Sequence, residues 1–133
     1  MVNLMNQNAL KSIFTRDFCD TLLPPHTSDR FFEALYGDVS EGAYDIRLEC
    51  LSVKPETVEL GFHLIQRPGK CLVCSLTHGL PKVFARHPLI DIKGMVQKIK
   101  DAGVPVKDWR LGHTNEKNNT LHVIPFYIDM ATP

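Results

Sequence analysis

Arg67-Pro68-Gly69-Lys70-Cys71-Leu72-Val73-Cys74-Ser75-Leu76 is the stretch from which the rest of the chain is read. Proline then glycine at two successive positions is the pattern of a type II turn, whose third residue needs a positive φ. The residues after the turn predict a short third strand, with Leu72, Cys74 and Leu76 on one face and Cys71, Val73 and Ser75 on the other.

Before the turn, Val58, Leu60, Phe62 and Leu64 alternate with Glu59, Gly61 and His63. Tyr44, Ile46, Leu48 and Cys50 alternate in the same way with Asp45, Arg47 and Glu49. With Lys54-Pro55-Glu56-Thr57 between them, the two runs predict an antiparallel hairpin. The alternation slips at Cys50-Leu51, which predicts a bulge or a strand end. Further back, Leu10, Ile13, Phe14, Phe18 and Leu22 keep helical spacing as far as Pro24-Pro25. Ser28 then reads as the N-cap of a second helix, with Phe31, Phe32, Leu35 and Tyr36 on its apolar face and Gly37 past its end.

After the turn, His78-Gly79-Leu80-Pro81 and Arg86-His87-Pro88 break the pattern on either side of a short extended piece at Val83-Phe84. Asp91 caps a helix that places Ile92, Met95, Val96 and Ile99 on one face and stops before Gly103 and Pro105. A fourth strand begins at Trp109, residues 113–119 read as a polar loop, and a fifth strand runs from Leu121 to Ile128. Pro125 inside that strand predicts an edge or a bulge. The fold class expected is α+β in one domain, residues 1–133. It has two N-terminal helices and a mostly antiparallel five-stranded sheet in the order β-β-β-α-β-β, with helices on one face. A sheet curled around one helix is the alternative.

The totals agree with a globular domain: 133 residues, 44% hydrophobic and 23% charged. No apolar run reaches the ~20 residues of a membrane span. The first eight residues lack the basic and apolar regions of a signal peptide, so a cytoplasmic protein is expected. Cys19, Cys50, Cys71 and Cys74 lie in apolar-patterned segments, which suits reduced thiols. Residues 1–66 carry five Lys or Arg against ten Asp or Glu, and residues 67–133 carry ten against five. No basic run is interleaved with aromatics, so a nucleic-acid partner is not expected.

Cys71-x-x-Cys74 is the one closely spaced thiol pair. Redox chemistry would need a helix N-terminus to lower one thiol's pKa. Zinc would need both sulfurs to converge, with His78 and His87 as further ligands; Cys19, Cys50, His63 and His122 are more distant candidates. In an extended segment the two thiols point to opposite faces, which argues against both. Arg67, Lys70, Lys82 and Arg86 flank the third strand and form a candidate anion-binding set, since arginine suits carboxylates and phosphates. Phosphate-binding loops, a dinucleotide fingerprint, His-Glu-x-x-His and Gly-x-Ser-x-Gly are all absent. A homeodomain is excluded because the lone Trp109 stands in Asp-Trp-Arg-Leu-Gly.

Gly42-Ala43-Tyr44-Asp45-Ile46, the stretch 67–74, Gly79-Leu80-Pro81-Lys82-Val83-Phe84-Ala85-Arg86-His87-Pro88 and Trp109-Arg110-Leu111-Gly112 resemble small proteins of anaerobic sulphate- and metal-reducing bacteria. That resemblance covers most of the chain and implies no catalytic residue, because no activity is known for the family. The order of elements is similar to that of type III secretion chaperones, cytoplasmic dimers that hold an unfolded effector segment. This chain departs from them in lacking a final long helix and an acidic balance. The functional expectation is a non-enzymatic protein- or ligand-binding module without a cofactor, which offers a sheet face or edge to itself or to a protein partner. A zinc-binding or thiol-redox protein is the alternative.

Overall fold

The computed structural model describes residues 7–24, 26–36, 42, 44–54, 56–72 and 77–131, with residues 7, 8, 35, 36 and 78 in backbone only. Three helices come first: α1 (Gln7–Ile13), α2 (Arg16–Leu22) and α3 (Thr27–Tyr36). The hairpin β1 (Tyr44–Val53) and β2 (Thr57–Gln66) follows, then α4 (Leu80–Phe84) and α5 (Ile92–Asp101). β3 (Val106–Leu111), β4 (Asn115–Asn118) and β5 (Leu121–Met130) end the chain. The expected α+β class and antiparallel five-stranded sheet are present, in the order β1-β2-β5-β3 with β4 also pairing β5.

The alternation in β1, β2 and β5 decides which face is buried. Ile46, Leu48, Leu60, Phe62, Leu64, Ile124, Phe126 and Ile128 are each at most 1% exposed and point to one side. Helices cover that side. Phe84 of α4 meets Phe62 edge-on at 5.3 Å and Phe31 of α3 at 5.6 Å, while Phe62 stacks on Phe126 at 5.5 Å. Full burial of such side chains contributes roughly 1.5–3 kcal/mol each, which holds short helices that would not form alone.

The Pro68-Gly69 turn forms as expected: Gly69 has φ 75° and the Lys70 N–H donates to the Arg67 carbonyl at 3.1 Å. The third strand does not begin where it was expected. Cys71 and Leu72 lie outside every strand, and the Leu72 N–H is taken by the Gln66 side chain at 3.1 Å instead of a neighbouring strand. Residues 73–76 lie outside the described residues, so the orientation of Cys74 does too. β4, in the stretch expected as a polar loop, brings the described strands to five.

Other differences have local causes. The N-terminal helix is two helices, because Thr15 turns extended (φ −81°, ψ 168°) and its hydroxyl caps the Phe18 N–H at 3.2 Å. Ser28 sits inside α3 and does not cap it; its hydroxyl accepts the Ile46 N–H at 2.7 Å and donates to the Ile46 carbonyl at 3.3 Å. The Val83-Phe84 piece is helical, with Pro81 in the first turn of α4, where its fixed φ is already suitable. Pro125 lies in an interior strand, between β2 and the β3–β4 edge. Its carbonyl accepts from Gly112 at 2.9 Å, so its missing N–H faces the break where β3 has ended and β4 has not begun. The bulge between Cys50 and Ser52 and the Asp91 cap on the Gly94 N–H (3.2 Å) are as expected. No helix among the described residues is long and apolar enough to cross a membrane.

Candidate functional site

The four expected anion-binding residues do not gather. Arg67 is committed to the fold: its guanidinium binds Asp29 at 2.7 Å and Asp45 at 3.0 Å and lies 5.3 Å from the Phe32 ring centre, tying α3 to β1. Lys70 is exposed in the turn and Lys82 on α4. Arg86 does line a groove of about 330 Å3, with His87, Pro88, Asp91 and Lys93.

The expected metal set does not converge either. His87 is packed 4.9 Å from the Phe31 ring, and its Nδ1 accepts the Leu89 N–H at 3.2 Å. Cys71 is exposed. Cys74 and the His78 side chain lie outside the described residues. No cluster of three metal-ligating side chains exists among the described residues.

What the fold does bring together lies beside Arg86, in a crevice of about 240 Å3 between the α2–α3 turn and the start of α5. Leu22, Leu23, Ile90 and Met95 lie beneath it, each at most 4% exposed, so the surface that faces the crevice is mainly polar. His26 and Arg30, one helical turn apart at the start of α3, stand on one wall. Lys98 of α5 stands on the other, its ammonium 3.4 Å from the Thr21 carbonyl at the end of α2. That placement suits a cation, because unsatisfied carbonyls gather there. Neither His26 nor Arg30 has an ion-pair partner among the described residues.

Asp91 forms the end of the crevice. It adopts a left-handed conformation (φ 50°, ψ 60°), which aspartate tolerates better than most residues. Its N–H donates to the His87 carbonyl at 3.0 Å, so the loop before α5 is closed on itself. Its carboxylate lies over Gly94, where a Cβ would come within 2.2 Å of Oδ2. The one acidic group of the lining is thus engaged in capping, and Arg30 and Lys98 leave the rim positive. Only the Asp91 cap was legible beforehand. His26, Arg30 and Lys98 are too far apart in sequence to form a motif, and tertiary packing alone unites them.

Two further polar groups are structural. Thr77 Oγ1 lies 2.6 Å from His122 Nδ1, and the Thr114 hydroxyl donates to the Thr77 carbonyl at 2.7 Å. A hydroxyl–imidazole pair can generate a nucleophile, but Thr77 and His122 are each 1% exposed and no substrate reaches them. At the β1 edge, Arg16 bridges Asp20, Glu49 and the Leu48 carbonyl. Burial, then the neighbouring Cys50, pushes the Cys19 thiol up to about 11; burial also raises Cys50 and lowers the His63 imidazole. Raising the pKa of both thiols disfavours the reactive thiolate form. No family model, curated protein or solved structure matches this chain.

Proposed function

We propose that this protein is a non-enzymatic binding module that holds a small carboxylate in the crevice between α3 and α5. The observation that carries the reading is that Arg30 and Lys98, with His26 beside them, line one crevice whose single acidic group is engaged in capping α5. The carboxylate meets the guanidinium of Arg30 and the ammonium of Lys98. A volume of about 240 Å3 is below the ~300–1,000 Å3 of drug-sized pockets, which favours a small ligand. A reducing cytoplasmic setting accords with Cys19 and Cys50, two unpaired thiols whose pKa values burial raises.

Thermal unfolding with octanoate, octanol and inorganic phosphate tests the proposal. A ligand at a hundred times its Kd stabilises by about 2.7 kcal/mol. Octanoate is expected to raise the melting temperature, octanol to do so much less, and the octanoate effect to vanish in Arg30→Ala/Lys98→Ala. An octanoate shift of equal size in that variant, or no shift at any concentration, contradicts the reading.

A further inference from the structure

The opposite flank of α5 borders a second groove, of about 340 Å3, whose other wall is β3. At 3.6 residues per turn, Gly94, Met95 and Lys98 turn toward the crevice, while Lys93, Val96 and Lys100 fall on the other side of the helix. Residues 106–109 of β3 all line the groove, which a regular strand, with its sides alternating, would not allow. A bulge makes the difference. Val106 pairs with Met130 and Asp108 with Asp129, so Lys107 is the extra residue. Val106 and Trp109, three apart, then both pack against the core beneath α5. We propose that this groove binds a nucleotide, with its base on the Trp109 indole and its phosphates on Lys93, Lys100 and Lys107.

The charge favours phosphate. All three lysines are exposed, and none belongs to an ion pair among the described residues. Arg16, Arg47, Arg67 and Arg110 around the sheet are, by contrast, each set against carboxylates of the chain itself. The one acid of the groove, Asp108, accepts the Trp109 N–H at 2.8 Å, and three lysines against it leave the groove positive. Lysine meets phosphate as a point charge. Lys93 and Lys100 stand two turns apart, about 10 Å along α5, with Lys107 on the facing wall. Cations spread in this way suit a run of phosphates better than a single carboxylate.

The indole favours a base. Trp109 is half-buried, held at 6.1 Å and nearly perpendicular to Phe126, which is itself fully buried. Its remaining surface lines the groove. A fixed, partly exposed ring is a platform on which any base can stack. The volume falls within the ~300–1,000 Å3 of small-molecule sites. Since the sequence has no glycine-rich phosphate loop, side chains alone hold the phosphates, and binding weakens with salt.

Titration of the full chain with magnesium-free ADP, followed by the indole N–H resonance, tests this. Trp109 is the only tryptophan, so one resonance reports the site. ADP is expected to shift it saturably, and adenosine and inorganic phosphate each to bind roughly tenfold or more weakly. Lys100→Ala/Lys107→Ala changes two exposed side chains, so it is expected to keep the native far-ultraviolet spectrum while losing ADP affinity roughly tenfold. No ADP shift at millimolar concentration, equal affinity for ADP and phosphate, or unchanged affinity in that variant overturns the proposal. A glutamate-rich peptide that binds the groove more tightly than ADP assigns it to a protein partner and overturns it too. Octanoate binding rests on Arg30 and Lys98, so it is expected to persist in Lys100→Ala/Lys107→Ala, and the two sites stand or fall separately.

Discussion

Replacing Ser28 by alanine removes one small hydroxyl and leaves two backbone groups stranded. Ser28 is 1% exposed, and its Oγ serves both the N–H and the carbonyl of Ile46, itself 1% exposed, on the outer edge of β1. An unsatisfied buried polar group costs about 1–3 kcal/mol. Two such groups, with some relief from water reaching the edge, give a loss of about 2–4 kcal/mol. The unfolding entropy of 133 residues at ~2.1 cal/mol/K each is about 0.28 kcal/mol/K, so each kcal/mol lowers the melting temperature by about 3.6 °C. Ser28→Ala should therefore melt roughly 7–14 °C lower in calorimetry, with a matching shift of the urea midpoint and an unchanged slope. Its β1 edge is also unblocked, so aggregation on heating should increase. A loss below about 0.5 kcal/mol would show that this hydroxyl does not seal the edge.

Gly94→Ala forces the Asp91 carboxylate off α5, since the added Cβ falls 2.2 Å from Oδ2. The lost cap costs about 1 kcal/mol and alanine's helix propensity returns about the same, so the urea midpoint should change little while octanoate affinity falls as the end of the crevice moves. His63 gives a pH dependence. Burial lowers its pKa below 6.5 against Glu49, with Arg16 and Lys117 acting in the same direction as burial. The unfolded chain therefore binds the extra proton, and this stabilisation is full above pH 6.5 and is lost as the pH falls toward the folded-state value. Urea midpoints between about pH 7.5 and 5.5 should fall less steeply in His63→Gln. Iodoacetamide at about pH 8 should modify exposed Cys71 promptly and Cys19 only after denaturation, read by peptide mass spectrometry; the reverse order would contradict their placement.

The legible parts of the fold were those in which local chemistry and burial agree. The alternation of β1 and β2, the bulge after Cys50, the Pro68-Gly69 turn and the Asp91 cap each follow from a few adjacent residues. The misread parts depend on neighbours that sequence does not display. Pro125 occupies an interior strand because its partner strand is interrupted opposite it, and nothing near Pro125 announces that interruption. Leu72 is buried like a strand residue while its N–H goes to a glutamine side chain, so apolar character alone was misleading there. Arg67 had the right chemistry for an anion but found Asp29 and Asp45 of its own chain. His26, Arg30 and Lys98 have no sequence signature, because the crevice exists only once the α2–α3 turn and the start of α5 are brought together.

Backbone amide chemical shifts recorded during an octanoate titration test the binding role most directly. The account predicts saturable changes confined to residues 22–30 and 88–98, fitting one Kd and lost in Arg30→Ala/Lys98→Ala. Changes centred on another cationic surface, such as Lys70 or Lys82, or linear drifts that never saturate, would contradict it.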